Sequence, residues 1–400
     1  MSWPFYPELL ATLVPRYTSY PTAAEFHGGV GADEMALALA GLAAGTSVSL
    51  YVHFPYCREI CWYCGCNTGA ANRHQRLTSY LDALHREIAL VAELLPSDAR
   101  VKRIAFGGGS PNAIAPLEFV RLMDALALNF PLDDPLISIE LDPRTLSDEW
   151  GVVIGGIGAS HASLGVQTFA PHLQEAIGRI QPLHMIEHSV RLLRDGGIRS
   201  LNFDLMYGLP GQSRDDLTET LGRAAEFGSR RLVAAGYRAV GFDHFALPAD
   251  PLGRAAAGGT LRRNFQGFTD DQATVLIGLG ASAISSFPHL LVQNEKNQGR
   301  YRMLLSQDLL SASLGIARTE DDRRRGGIIE GLLCHGRAAI PRDLAHETAP
   351  RLEPFFAAGL CESDGATLAI GPAGLPYARS IAAQFDPYRG HSPRRFSSAV

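Results

Sequence analysis

The chain has 400 residues, of which 46% are apolar and 19% charged, with a formal charge of −5 and a pI near 6.2. That balance excludes the global basic field of a nucleic-acid-binding protein, and no uninterrupted apolar run is long enough to span a bilayer. Six cysteines, no basic and apolar opening segment, and enough length for a large core point away from a disulfide framework and toward a soluble protein of the cytoplasm.

Along the chain, strand-like apolar runs alternate with segments of helical period. Residues 47–54, Ser-Val-Ser-Leu-Tyr-Val-His-Phe, predict a buried strand. Residues 77–95 predict a helix, and 101–106 a short strand broken by Gly107-Gly108-Gly109-Ser110-Pro111. A helix over 117–129 leads to a strand over 136–141 that ends in Glu140-Leu141-Asp142-Pro143. Residues 162–166 read as a short strand before Gln167, and 171–195 as largely helical. A strand over 200–207 ends at Gly208-Leu209-Pro210-Gly211, and a helix follows over 215–227. This alternation predicts a parallel sheet with crossover helices. Past Gln293 the rhythm changes: 300–370 read as short helices with a hairpin over 359–370, and the Arg-, Ser- and Pro-rich residues after 384 read as irregular. The expected organisation is an N-terminal segment (1–46), an α/β core (47–298), a small C-terminal domain (299–384) and a tail (385–400).

Four cysteines fall within ten residues: Cys57, Cys61, Cys64 and Cys66. The spacing Cys57-x3-Cys61-x2-Cys64 lets three thiolates reach one inorganic core from one loop. A four-iron cluster takes four ligands, so three leave one iron open to a substrate or cofactor. Structural zinc is the alternative by residue type, but it uses four ligands in two separated pairs, and Cys334 and Cys361 stand alone. A redox dithiol would show an isolated Cys-x2-Cys beside a thioredoxin-like unit.

Parallel sheets gather ligands at the carboxyl ends of their strands. Five segments fall there: the cysteine loop, the glycine triplet, Glu140, Gln167 and Asp204. The glycines suit close ligand approach and N–H donors facing an anion, or else a tight turn. Their spacing fits neither a P-loop nor a Rossmann fingerprint. Glu140 and Asp204 suit a ribose diol or an ammonium group, or else simply end their strands. Arg179 is placed on a helix, where a solvated face is the ordinary role. His184 and His188, in a His-x2-Glu-His run, could hold a metal, although no third ligand is near and an exposed helix face accounts for them. Asp243 and His244 could form an acid–base pair, but neighbours on a strand point to opposite faces.

A Cys-x3-Cys-x2-Cys loop after a buried strand, with Gly-Gly-Gly ending the next strand, resembles the radical S-adenosylmethionine (SAM) superfamily. Further motifs narrow the resemblance to the oxygen-independent coproporphyrinogen III oxidase (dehydrogenase) family of haem biosynthesis. They are Pro15-Arg-Tyr-Thr-Ser-Tyr-Pro21, Tyr51-Val-His-Phe-Pro-Tyr-Cys57 with the extra Cys66, Phe106-Gly-Gly-Gly-Ser-Pro111 and Ile139-Glu140-Leu-Asp-Pro143. Gly165-Val-Gln167, Asp204-Leu-Met-Tyr-Gly-Leu-Pro210, Asp243-His-Phe245, Arg263-Asn-Phe-Gln-Gly267 and Gln293-Asn294 continue the set.

The resemblance implies a [4Fe–4S] cluster held by Cys57, Cys61 and Cys64, with Cys66 nearby but not a ligand. It implies one SAM on the open iron, touched by Tyr51, Gly108, Glu140 and Ile284. It also implies a second SAM, matched by Tyr63, Gly109, Ser110, Gln167, Arg179 and Asp204. The implied activity is oxidative decarboxylation of coproporphyrinogen III to protoporphyrinogen IX by a 5′-deoxyadenosyl radical. A reductant for the cluster and an electron acceptor are the implied partners of a monomer that meets neither nucleic acid nor membrane. On charge alone, Arg262, Arg263 and Arg395 are candidates for the substrate carboxylates.

One departure stands out. Between Phe227 and Asp243 the chain is about forty residues shorter than the family pattern, the size of one strand–helix unit. A parallel strand cannot be dropped without a neighbour re-pairing or an edge opening. The expected fold is therefore α/β, an incomplete (β/α) barrel of radical SAM type lacking one unit, with a small, mostly α C-terminal domain. The lost strand contributes to the family's second SAM site, so one or two SAM are expected. The rival readings are a haem-binding chaperone relative and a paralogue with lost or altered activity.

Overall fold

The computed structural model describes residues 4–11, 13–65, 67–71, 74–227 and 236–390. It divides into two compact units. The larger comprises Gly28–Ala235 and Ala273–Gly315, and the smaller comprises Met1–His27, Gly236–Gln272 and Ile316–Val400.

The larger unit is built on one nine-stranded sheet. Its strands are β1 (Ser47–Phe54), β2 (Arg100–Gly108), β3 (Leu132–Leu141), β4 (His161–Gln167), β5 (Ser200–Leu205), β6 (Val275–Leu279), β7 (Ile284–Phe287), β8 (Leu290–Asn294) and β9 (Ala312–Ala317). Their order is β9-β8-β7-β6-β1-β2-β3-β4-β5. From β6 through β5 every pairing is parallel, while β6-β7 and β7-β8 are antiparallel. β1 lies at the centre, and Val48, Leu50, Val52 and Phe54 are fully buried, as a strand covered on both faces requires.

Helices α1 (Ala32–Ala40), α2 (His74–Glu93), α3 (Pro116–Asn129), α4 (Asp148–Gly156), α5 (Pro171–Ala176), α6 (Leu183–Asp195), α7 (Arg214–Phe227) and α8 (Gln298–Leu305) complete this unit. Edge-on rings lock α3 to the sheet and to α4: Phe119 lies 4.8 Å from Phe106 and 5.0 Å from Trp150, centroid to centroid. The helix expected over 171–195 is two helices. Gly178 takes a left-handed φ of +64° and Pro182 precedes α6, so the chain cannot stay helical between them.

β9 and β5 end the sheet and do not pair with each other among the described residues. The sheet therefore stays open, as expected of a barrel lacking a unit. β5 is the outermost parallel strand, and α7 follows it. Residues 228–235, at the heart of the shortened stretch, lie outside the described residues.

The smaller unit contains helices Glu320–His335 and Arg342–Ala357 and a three-stranded antiparallel sheet of Arg337–Ala339, Thr367–Ile370 and Cys361–Ser363. The last two strands form the hairpin expected near residue 360. Two further hairpins join it, Arg238–Val240 with His244–Ala246 and Arg262–Asn264 with Gly267–Thr269. Its core packs Val14, Tyr17 and Tyr20 with Ile328, Leu332, Leu344 and Phe385, and the Tyr17 hydroxyl donates to Asp386 at 2.9 Å. Residues 299–315, expected in the C-terminal domain, group with the larger unit because α8 packs there and β9 extends the sheet. Residues 236–272, expected in the core, group with the smaller one. Of the expected irregular tail, 385–390 form short 3-10 turns, and 391–400 lie outside the described residues.

One buried carboxylate fastens the antiparallel side of the sheet. Glu87 on α2 is 1% exposed. It accepts from the Gly280 N–H (2.5 Å), Tyr301 Oη (2.8 Å), Asn294 Nδ2 (2.8 Å) and Ser311 Oγ (2.8 Å). Replacing it strands four donors. Glu87→Leu should lose roughly 3 kcal/mol or more of stability, read from urea unfolding. A loss below about 1 kcal/mol would mean the donors find other acceptors.

Candidate functional site

The parallel register brings the carboxyl ends of β1 to β5 to one rim. On β1, Tyr51 sits between Gly278 and Ala105, and Phe54 lies beside Gly108. On β3, Glu140 lies opposite Ser163, and Gly165 of β4 lies opposite Asp204 of β5. The cysteine loop, the glycine triplet, Glu140, Gln167 and Asp204 thus share this rim, as the strand rhythm predicts. Ile284 opens β7, and a Cβ on Gly278 would lie 2.8 Å from its backbone nitrogen.

The cysteine loop leaves β1 and folds back on itself. Tyr56–Cys57 bridges Gly69–Ala70, and the Ala71 N–H donates to the Cys57 carbonyl at 2.8 Å. Trp62 donates its N–H to the Ile177 carbonyl at 3.1 Å. Its ring covers Gly178, where a Cβ would come within 2.7 Å. Cys57, Cys61 and Cys64 are free thiols, and Cys66 lies outside the described residues.

Two guanidiniums meet at Cys61. Its Sγ accepts from Arg179 Nη1 at 3.2 Å and from Arg144 Nη2 at 3.5 Å. Both arginines also bind Asp142, at 3.3 and 2.7 Å, and all three side chains are at most 8% exposed. Burial opposes ionisation of Asp142, but the Arg144 hydrogen bonds and the Arg179 charge hold its carboxyl below the ordinary range. Burial first, then the charges of Asp142, Cys64 and Cys61, push the Cys57 thiol up to about 12. The Cys57 thiol thus resists ionisation until a polycationic core supplies charge. Among the described residues no three Cys, His, Asp or Glu side chains are grouped to hold a single ion. A cubane does not require that, since its ligands sit on different irons. The donor set fits an iron–sulfur cluster.

Glu140 is the complementary feature. Burial, then the Asp204 charge, push its carboxyl up to about 7 against one hydrogen bond from the Gly108 N–H, 3.2 Å long. No cationic side chain among the described residues is paired with it. A half-buried carboxylate in this condition fits the ammonium group of an external ligand.

Several residues stand differently from their sequence-based expectations. The glycine triplet does not offer free donors to an anion. The Gly108 N–H donates to Glu140, Gly109 to the Phe54 carbonyl (2.6 Å) and Ser110 to the Tyr56 carbonyl (2.9 Å). The glycines instead permit close packing: a Cβ would overlap Glu140 at Gly107, the His53 ring at Gly108 and the Tyr56 backbone at Gly109. Arg179 is not on a helix but in the loop between α5 and α6. It is 7% exposed and also donates to the Gly165 carbonyl at 2.7 Å. Gln167 is the last residue of β4, with φ +65°, where the register with β5 shifts. Tyr63 packs near Ala170, Leu173 and Ile177 and hydrogen-bonds Cys61, and burial raises its phenol. Asp204 is exposed and accepts from Ser163 Oγ and Asn202 Nδ2, both at 2.9 Å.

His188 faces outward from α6 and meets Asp148 at 3.1 Å. In the smaller unit, Asp243 and His244 do contact each other, Oδ1 to Nδ1 at 2.7 Å. Strand alternation does not separate them, because Asp243 belongs to the turn and the strand begins at His244. Burial opposes the Asp243 charge, but the His244 hydrogen bond wins and lowers its carboxyl.

The motifs carried three site residues to which sequence reasoning gave no role. Asp142 and Arg144 lie two and four residues after Glu140. His53 lies between Tyr51 and the loop, with Nδ1 3.0 Å from the Tyr51 hydroxyl and Nε2 buried without a partner among the described residues. Burial lowers its imidazole to about 4, so the ring is neutral. A polar residue inside an otherwise apolar strand was the available signal.

Comparison with known proteins identifies the family. The radical SAM superfamily profile matches residues 51–224. Oxygen-independent coproporphyrinogen III oxidase of Bradyrhizobium diazoefficiens is 38% identical over 437 aligned positions, covering 97% of each chain. The enzyme of that name from Escherichia coli is 33% identical over 96% of each. The solved coproporphyrinogen III oxidase of Escherichia coli, described as a radical SAM enzyme, superposes with a TM-score of 0.88 at 31% identity, over 97% of this chain and all of that one. An alignment of 437 positions exceeds the 400 residues present, so this chain lacks residues that its relative carries. With identity of this extent on both sequences and a shared fold, the chain belongs to the oxygen-independent coproporphyrinogen III oxidase family of the radical SAM superfamily.

Proposed function

We propose that the chain converts coproporphyrinogen III to protoporphyrinogen IX by oxygen-independent oxidative decarboxylation. The observation that carries this reading is a three-thiol loop sharing one rim with a half-buried carboxylate, Glu140, that has no cation paired with it among the described residues. Two propionates each lose CO2, one hydrogen atom and one electron, leaving vinyl groups, and an external acceptor takes the electron. The chain would act as a monomer in the cytoplasm, with an external reductant and no nucleic-acid or membrane partner.

Cys57, Cys61 and Cys64 would hold a [4Fe–4S] cluster, and Tyr51, Gly108, Glu140 and Ile284 one SAM. When bound, these groups supply a carbon radical able to take hydrogen from a propionate C–H bond. The chain's own residues bind and orient. Glu140 receives the ligand ammonium. Arg144 and Arg179 stabilise negative charge on Cys61, and hydrogen bonds to cluster sulfurs raise the potential. Neutral His53 and the close-packed glycines keep water from the rim.

Tyr63, Gly109, Ser110, Gln167, Arg179 and Asp204 remain the candidates for a second SAM. The Gly109 and Ser110 N–H groups are already bonded, Arg179 is tied to Asp142, Gly165 and Cys61, and β5 is outermost. These observations favour one firmly bound SAM, with the second site altered. Equilibrium dialysis of reconstituted protein should give one SAM per chain; two would restore the full family pattern. An anaerobic assay with coproporphyrinogen III tests the activity. Vinyl product is expected, and 5′-deoxyadenosine without it would indicate a paralogue of altered activity. Haem binding with neither product would indicate the chaperone-like relative.

Cys64→Ala should abolish the broad visible absorbance of the reconstituted cluster, while Cys66→Ser should retain it; the reverse pattern would reassign the third ligand.

Glu140 generates a pH dependence. With its carboxyl raised from 4.5 to about 7, its contribution to apo-protein stability is full below pH 4.5 and lost as pH rises through about 7. A cationic ligand reverses that preference, so SAM affinity by calorimetry should climb with pH to about 7 and then level. Glu140→Gln should flatten the profile and weaken binding roughly tenfold. An unchanged profile would assign the titration elsewhere.

A further inference from the structure

We infer that Glu59 is a positioning residue for the cluster: acting through Arg144, it holds the reduction potential down, and a cation that pairs with Glu59 releases that hold. The inference rests on the proposed [4Fe–4S] cluster at Cys57, Cys61 and Cys64, though not on the reaction assigned to the enzyme.

Arg144 reaches from a buried carboxylate to an exposed one. Its Nη2 donates to Asp142 Oδ2 at 2.7 Å, and its Nε lies 3.0 and 3.1 Å from the two Asp142 oxygens. Its Nη1 donates to Glu59 Oε2 at 2.9 Å. The Arg144 side chain is 7% exposed, whereas that of Glu59 is 72% exposed. Between these two anions, Nη2 also donates to Cys61 Sγ at 3.5 Å. Cys64, by contrast, meets a neutral hydroxyl, Thr68 Oγ1, at 4.0 Å.

Charge decides what this arrangement does. Arg144 and Arg179 bring two positive charges to Cys61, and Asp142, bonded to both, cancels one. The charge left over favours a reduced, more negative cluster. Glu59 cancels it from the solvent side. Its backbone carbonyl also accepts from Nη2 at 3.4 Å, the nitrogen that serves the sulfur. An anion that competes for this donor weakens the hydrogen bond that would lift the potential. The two anions are not equivalent. Asp142 is buried, so its pair with Arg144 persists. Glu59 stands in water, where an ion pair is weak and screened by salt. The potential therefore responds to ions at the loop surface, although both arginines at the sulfur are buried.

The test is a redox titration of reconstituted protein, read by EPR of the cluster after it takes one electron from the external reductant. Glu59→Gln keeps the size of the side chain and an oxygen for Arg144 but removes the charge. At one fixed potential it should raise the reduced-to-oxidised ratio roughly threefold to tenfold, and tenfold is about 59 mV for one electron. High NaCl should raise the wild-type potential toward that of Glu59→Gln and move the variant's less. In an Arg144→Lys background, which keeps the charge without the fork, Glu59→Gln should shift the potential about half as much or less. An unchanged potential in Glu59→Gln overturns the inference. So does an equal shift in the Arg144→Lys background, which would mean a charge acting through solvent without Arg144. If Arg144→Lys does not hold the cluster, the salt response of wild type against Glu59→Gln decides alone. Wild type that carries the cluster but makes no vinyl product refutes the proposed reaction and leaves these potentials decisive; wild type without a cubane overturns both.

Discussion

Asp142 holds the rim to the cysteine loop. Its carboxylate is buried between Arg144 and Arg179, and both guanidiniums continue to the sulfur of Cys61. Removing either partner would leave charge stranded in a dry place, which costs far more than a surface pair returns. The loop is therefore positioned by electrostatics as well as by its backbone bridge. The same arginines place positive charge beside the Cys61 sulfur. Arg179 also grips the Gly165 carbonyl, so β4 is drawn into the arrangement and three strand ends answer to one carboxylate.

Much of this was legible in the sequence because it depends on period and spacing. The buried run at 47–54, the strand ends at Glu140 and Gln167 and the cysteine spacing are local patterns, and parallel topology converts them into one rim. What could not be read depends on contacts between distant segments. Arg179 looks like a helical surface residue because its neighbours have helical period, whereas left-handed Gly178, covered by the Trp62 ring, and Pro182 break the helix around it. The glycine triplet looks like an anion cradle because glycine exposes N–H groups, but Glu140 and the Phe54 carbonyl take the Gly108 and Gly109 donors first. Asp243 and His244 looked separated because alternation was applied across a turn. Residues 299–315 looked detached because β9 joins the sheet beside β8, which sequence order near a domain change does not reveal.

The shortened stretch after Phe227 has a visible structural answer. The sheet ends on β5, and no strand covers its far side among the described residues. Edge strands invite unwanted pairing unless polar groups guard them. Asn202 and Asp204 on β5 are exposed and linked through Ser163. One side chain therefore serves the rim electrostatically, by raising Glu140, and guards an edge at the same time.

Both units are assembled from non-adjacent stretches of chain, which governs the order in which the molecule can form during synthesis. β1 gains its neighbour β6 only after residue 275 emerges, so one flank of the central strand waits for more than two hundred residues of translation. The smaller unit waits longer still, since Tyr17 packs against Asp386 and its first residues need nearly the last. Ribosomal pausing or early truncation would thus release a chain whose beginning has nothing to pack against, the condition in which long-range contacts form slowest and holdase chaperones are most needed.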